Sequence, residues 1–155
     1  DLDLGIHLVD LVFWALEENS PKAVESRLFA QGKRIEGEID LVEDYAAACI
    51  DLQSGATVNL TCSWNLPAGQ DAVIEASFYG AEGGLSLKNV NGSFYDFTAE
   101  QYRGSQRELL AEPPDNWGAR AAVEWARKLV ENNHYDSEIE SLLPVAKTID
   151  QIYRR

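Results

Sequence analysis

The sequence predicts an α+β fold in two layers: an open, mostly antiparallel β-sheet with helices packed on one face. Three observations carry this. Apolar residues recur at helical spacing near both ends of the chain, they alternate with period two through the middle, and short Gly, Asn and Ser signals separate the alternating runs. The order is therefore helix, strands, then two helices.

The first helix is carried by Ile6, Val9, Phe13 and Leu16, with Asn19-Ser20-Pro21 as its expected end, because proline cannot continue a helix. A short strand is expected over residues 23–30, followed by the polar loop Gln31-Gly32-Lys33-Arg34. Residues 43–52 and 57–65 alternate, with Gln53-Ser54-Gly55 between them as a three-residue hairpin loop. That loop pairs Leu52 with Ala56, Ile50 with Val58, Ala48 with Leu60 and Ala46 with Cys62. Both apolar sets then share one face, as burial of one side requires. The other face carries Tyr45, Ala47 and Cys49 opposite Ser63, Thr61 and Asn59. The same register sends Cys49 and Cys62 to opposite faces, so no disulfide is expected between them.

Further strands are expected over 73–79, 85–90 and 93–98, with Gly83-Gly84 and Asn91-Gly92 as turns, and another over 103–110. Pro113-Pro114 breaks the pattern. From Asn116 the period turns helical, with Ala119, Val123, Ala126 and Val130 on one face and Asp115 or Asn116 as the expected cap. Asn132-Asn133 ends that helix. A last helix is expected over 137–153, where Pro144 implies a kink or a first-turn position. No repeat, low-complexity tract or linker interrupts the chain, so residues 1–155 read as a single domain.

The balance of 13 Lys and Arg against 26 Asp and Glu gives a net charge of −13. Such a surface repels a phosphate backbone and an anionic bilayer, so no nucleic-acid partner and no membrane partner are expected. No apolar run approaches the roughly 20 residues of a membrane span. No signal-like start is visible, and the expected location is the cytoplasm. The chain has no methionine and opens on Asp1-Leu2-Asp3, which reads as a piece of a longer protein. Its two cysteines are too few for a disulfide scaffold and wrongly spaced for zinc.

Only two histidines are present to move protons near neutral pH. His134 lies in the polar stretch Asn132-Asn133-His134-Tyr135 and reads as an exposed loop residue. His7 lies on the first helix four residues after Asp3, so the carboxylate and the imidazole share a face. A carboxylate there sets the tautomer of the imidazole and raises its basicity. On spacing alone, an aspartate at the positive end of a helix with a histidine that happens to follow explains the pair as well. Asp10 and Trp14 continue the face. No Gly-rich phosphate loop follows a strand, no nucleophile elbow is present, and His7 with Asp3 or Asp10 lacks the further ligands a metal needs.

The run Asp3-Leu4-Gly5-Ile6-His7-Leu8-Val9-Asp10-Leu11 closely resembles the D-x-G-x-H-x-x-D-L signature of the Gfo/Idh/MocA family of NAD(P)-dependent oxidoreductases. The resemblance continues in Val42-Glu43-Asp44-Tyr45, Ser54-Gly55-Ala56, Cys62-Ser63-Trp64 and Phe78 to Leu85, and closes in residues 145–153. Asp1 departs from it, since the family has an apolar residue there. The resemblance implies a dehydrogenase C-terminal domain, with the dinucleotide-binding Rossmann domain absent from this chain. It implies NAD or NADP in the full-length protein and none bound by this chain alone. Asp3 and His7 match the family's substrate-binding and proton-transfer positions, assisted by a lysine that lies in the Rossmann domain. The implied activity is hydride transfer at a CH–OH group of a sugar or polyol, with homo-oligomers formed through the open sheet face. Two other functions fit the same fold: a glycosidase that uses bound NAD, and a non-catalytic binding or regulatory protein. A G-x-G-x-x-G-like turn upstream of Asp1 separates the enzymes from the last of these.

Overall fold

The computed structural model describes residues 2–37 and 41–154, Leu2 and Asp3 by their backbone alone. Contacts divide the chain into two compact units, Asp1–Leu66 with Asp136–Arg155, and Pro67–Tyr135.

In the first unit, α1 (Leu2–Leu16) is followed by β1 (Pro21–Ala30), β2 (Lys33–Arg34), β3 (Tyr45–Leu52) and β4 (Thr57–Ser63). The four strands form one antiparallel sheet in the order β2-β1-β3-β4. The helix α3 (Leu142–Tyr153) returns to this unit, preceded by a 3₁₀ turn over Ser137–Ser141. Helix α1 closes before the expected proline. Glu17 turns left-handed at φ 52, and the Glu18 N–H donates to the Phe13 carbonyl at 3.1 Å, a Schellman-type end. Pro21 opens β1 instead. The polar loop at 31–34 is a tight hairpin, with Gln31 and Gly32 both at positive φ and Ala30 paired with Lys33. Pro144 takes the first turn of α3, where a missing N–H leaves no helical bond unmade.

The β3–β4 register is the one the alternation predicts: Ala46 faces Cys62, Ala48 faces Leu60 and Ile50 faces Val58. Leu52 closes the turn, its N–H donating to the Ala56 carbonyl at 2.8 Å, with Gly55 supplying φ 93. Both cysteines are free, as the register requires. Helices α1 and α3 pack on one face of this sheet and on each other. Between them lies the core, with Leu28, Ala46, Ile50 and Leu52 from the strands, Val9 and Phe13 from α1, and Val145 and Ile152 from α3. The opposite face holds the half-buried Tyr45, Ala47, Cys49 and Ser63 beside the exposed Asn59 and Thr61.

In the second unit, β5 (Glu75–Tyr79), β6 (Gly84–Asn89), β7 (Phe97–Arg103) and β8 (Gln106–Ala111) form an antiparallel meander, and α2 (Arg120–Glu131) follows. The antiparallel α+β class is as the sequence predicts, but the strands fall into two four-stranded sheets where one was expected. The break lies in the stretch between β4 and β5, which contains Pro67, with no N–H to give a ladder, and Gly69 at φ 71. Asn89 organises the end of that stretch: its side chain accepts from the Ile74 N–H and donates to the Ala72 and Ser93 carbonyls, each at 2.9 Å. Glycine is needed at 83, where a Cβ would stand 2.6 Å from the Tyr102 carbonyl oxygen.

Strand β7 and helix α2 begin about four residues later than the sequence predicts, β5 and β8 two or three. Strand β7 starts at Phe97, because Ser93 to Asp96 form a loop in which the Ser93 hydroxyl accepts from the Tyr95 and Asp96 N–H groups. Helix α2 starts at Arg120, after Ala119 at φ 63, and no side chain caps it. Asp115, an expected cap, forms an ion pair with Arg120 instead. Trp117 anchors the preceding segment, stacked on Tyr95 and donating to its carbonyl at 2.7 Å. The expected packing of helices on one face holds for α1 and α3, whereas α2 buries none of its side chains: Trp125 is 64% and Val130 88% exposed.

Candidate functional site

Helix α1 presents two unlike faces. Gly5, Val9 and Phe13 are buried against the sheet and α3, while Leu4, His7, Asp10 and Trp14 stand in solvent. The spacing of His7, Asp10 and Trp14 keeps them along one side of the helix. The His7 imidazole is thus displayed by a helix whose other side is locked into a core. The backbone of Asp3 is one turn earlier in the same helix, and its carboxylate lies outside the described residues. His134 is exposed outside any helix or strand, with its backbone N–H donating to Asn132 Oδ1 at 3.2 Å.

The residues just after α1 are tied to the β3–β4 hairpin. Glu18 accepts from the Ser54 N–H at 2.9 Å. The Ser54 side chain, with the Ser54 and Gln53 backbone, holds the Glu18 carboxyl below its ordinary range against the opposing pull of burial. Burial pushes the Cys62 thiol up, and the charge of Glu43 adds to this.

One buried carboxylate has no role that the sequence assigns. Glu43 is 3% exposed, although it is a carboxylate in the segment that leads into β3. The Tyr153 hydroxyl donates to its Oε1 at 2.6 Å, and the Trp64 indole N–H donates to its backbone carbonyl at 3.1 Å. The next residue is held as firmly: Asp44 N–H donates to the Phe29 carbonyl at 2.9 Å, and Ser63 Oγ donates to the Asp44 carbonyl at 2.6 Å. Glu43, Trp64 and Tyr153 each fall in stretches that carry the family resemblance, but their contact joins residues 110 apart and has no local signal.

A cavity of about 500 Å³ opens on the far face of this sheet, lined by Phe29, Asp44, Tyr45, Ser63, Asn65 and Leu66 beside the Gln31-Gly32 turn. The Phe29 and Tyr45 rings meet edge to face at 5.8 Å, and Asp44 Oδ2 accepts from the Gln31 N–H at 2.6 Å. Among the described residues no group of three His, Cys, Asp or Glu side chains converges as a metal site. No helix among them is long and apolar enough to cross a membrane.

Known structures with the same fold are oxidoreductases. An aldose-aldose oxidoreductase from Caulobacter crescentus, crystallised with glycerol, superposes with a TM-score of 0.69 at 16% identity, over 97% of this chain and 43% of that one. A UDP-N-acetylglucosamine 3-dehydrogenase from Acidithiobacillus ferrooxidans gives 0.68 at 16% identity, over 94% of this chain and 43% of its own. A 3-ketoreductase from Actinomadura kijaniata, in complex with TDP-benzene and NADP, gives 0.70 at 17% identity, over 97% and 45%. The chain thus spans under half the length of each of these proteins. No curated protein matches it by sequence. The family model of the GFO/IDH/MocA C-terminal domain matches residues 2–86, more than half of the chain. The chain belongs to the GFO/IDH/MocA family and matches the C-terminal domain of that family.

Proposed function

We propose that this chain is the substrate-binding and oligomerisation domain of a cytoplasmic NAD(P)-dependent dehydrogenase that oxidises or reduces a CH–OH group of a sugar or polyol. The observation that carries the reading is the exposed His7 on a helix whose opposite face is buried. The D-x-G-x-H-x-x-D-L run supports it too, since by that resemblance Asp3 and His7 match the family's substrate positions. Two of the similar structures are named for aldoses and UDP-N-acetylglucosamine, and the third was crystallised with NADP.

The dinucleotide does not fit the residues of this chain. Every strand ladder described is antiparallel, and Gly80, Gly83 and Gly84 lie in or beside the β5–β6 hairpin rather than between a strand and a helix. The cradle of backbone N–H groups at a helix start that holds a pyrophosphate is therefore not built here. Its place is in a separate Rossmann domain, and this chain contributes the group that takes up and returns the proton. His7 accepts the proton of the substrate hydroxyl as the carbonyl forms and returns it in the reverse direction. Asp3, one turn earlier in the sequence of the helix, is assigned the supporting role on the strength of the family motif. Calorimetric titration of the isolated chain with NAD and NADP is expected to give no binding, and the chain alone no turnover. Micromolar affinity for either nucleotide sinks the assignment of the dinucleotide to another domain.

The open face of the β1–β4 sheet is the proposed surface for self-association. Tyr45, Ala47, Cys49, Asn59, Thr61 and Ser63 form a patch of small, polar and aromatic side chains without a formal charge among them. Such a face meets a second sheet at about 10 Å with little desolvation cost. Sedimentation of the chain at tens of micromolar is expected to show an oligomer that Tyr45→Arg dissociates. A monomer for the unaltered chain overturns this assignment.

A further inference from the structure

Helices α1 and α3 pack side by side on the β1–β4 sheet, and they differ on the side turned away from it. Helix α3 carries Lys147, Asp150 and Gln151 there, all exposed, as a surface helix does. Helix α1 has no such side. Of its 15 residues eleven are apolar and none is Lys or Arg. Its outer side exposes Leu4 at 50% and Trp14 at 77%, with Ala15 exposed and Leu11 half-buried between them. Single exposed apolar residues are ordinary, but a helix that is apolar on every side is one that other protein covers.

His7 stands inside this apolar strip. Leu4 lies one turn before it, Leu11 one turn after it and Trp14 two turns after it, with Asp10 alongside. A surface poor in charge and rich in Leu and Trp has the composition of an interface core. Two further observations identify what covers it. The similar structures match this chain over only 43–45% of their own length, so most of each lies outside the matched part, and one of them holds NADP. Hydride transfer also brings the reacting atoms to about 3–3.5 Å. Whatever carries the nicotinamide therefore approaches the side of α1 that displays His7. A second copy of this chain seated there would cover the imidazole and bring no dinucleotide. An anionic bilayer would repel a chain of net charge −13.

We propose that the outer side of α1 is the docking surface for the dinucleotide-binding domain, with Leu4, Leu11 and Trp14 as the apolar contacts around His7; the choice of occupant rests on the reading of His7 as the proton-transfer group. Docking completes the site, since this chain brings the imidazole and the other domain the nicotinamide. The apolar rim keeps water from the substrate hydroxyl held between them. The polar outer side of α3 stays in solvent.

The contrast between the two helices supplies the test. Leu4→Cys, Trp14→Cys and Lys147→Cys are each labelled with N-ethylmaleimide, in this chain alone and in the intact enzyme. Peptide mass spectrometry separates these sites from Cys49 and Cys62. All three positions are exposed in this chain, so the substitutions should leave its fold in place. The expected result is labelling at positions 4 and 14 slower by about tenfold or more in the intact enzyme, with position 147 unchanged, because a covered thiol reacts only when the surface opens. Equal rates at 4 and 14 in the two proteins overturn the proposal. Protection that is present in the chain alone and lost on dilution marks a second copy as the occupant, and overturns it too. With p-benzoylphenylalanine in place of Trp14 in the intact enzyme, photo-crosslinks to peptides of the dinucleotide-binding domain are expected. Crosslinks confined to residues 1–155 contradict the assignment. None of these measurements needs turnover. If His7→Ala leaves turnover intact while positions 4 and 14 are protected and crosslinked as expected, the docking stands and the reading of His7 fails.

Discussion

Replacing His7 with alanine in the intact enzyme is expected to lower turnover by about 10²- to 10⁴-fold, the range that a positioned general acid–base contributes. Dinucleotide affinity should stay nearly the same, because the proposed place of the dinucleotide is in another domain and no strand-to-helix phosphate turn lies among the described residues. The fold should survive: His7 stands in solvent, and α1 is held by Gly5, Val9 and Phe13 on its other side. Exposed substitutions of this kind fall within about 0.5 kcal/mol. Steady-state kinetics, with calorimetry for the nucleotide and thermal unfolding for stability, separates these quantities. An unchanged rate shows that His7 is not the proton-transfer group and favours a binding or regulatory protein on the same fold.

The second large effect is on stability. Leu28→Ala is expected to destabilise the first unit by about 2–5 kcal/mol, the usual cost of a cavity at a closed site. Leu28 is 0% exposed, at a point where Ala46 pairs beside it on β3 and the Ile35 N–H closes on its own carbonyl at 2.8 Å. The small Ala46 and Ala48 across the ladder cannot expand into the space. Against a typical domain stability of about 5–15 kcal/mol, such a loss is a large fraction. Urea unfolding should show a lower midpoint with an unchanged slope. Leu110→Ala on β8 is the control, since Leu110 is 53% exposed and should shift the midpoint little. Equal effects at the two positions contradict the burial on which the core description rests.

Local chemistry accounts for much of this architecture. The alternation of Ala46, Ala48 and Ile50 against Val58, Leu60 and Cys62 leaves only one register that buries a single face, and a three-residue loop with glycine last selects it. The separation of the two cysteines follows from the same parity. The helical period of Ile6, Val9 and Phe13 is equally local, and it places His7, Asp10 and Trp14 away from the core. Of the candidate pair, the exposure of His7 on α1 was legible in the sequence, while Asp3 is described by its backbone alone. The chain's family came from the order of several weak motifs, each of them short.

Long-range structure supplied what local pattern has no means to encode. Alternation marks strands but not which strands share a ladder, so the division into two sheets appears only where the stretch between β4 and β5 carries no pairing. The apolar period of Val123, Ala126 and Val130 promises a buried face, yet burial needs a partner, and α2 has none of its side chains covered. Ala119 in the left-handed region delays the start of that helix, a backbone choice that its side chain does not announce. Tyr153 and Glu43 are 110 residues apart, and nothing near either one signals that a buried carboxylate will meet a phenol. Sequence spacing sets which residues share a face, because a helix or a strand repeats with a constant period. Packing sets where that face is aimed and what it meets, because those contacts join residues whose separation along the chain bears no relation to their distance in space.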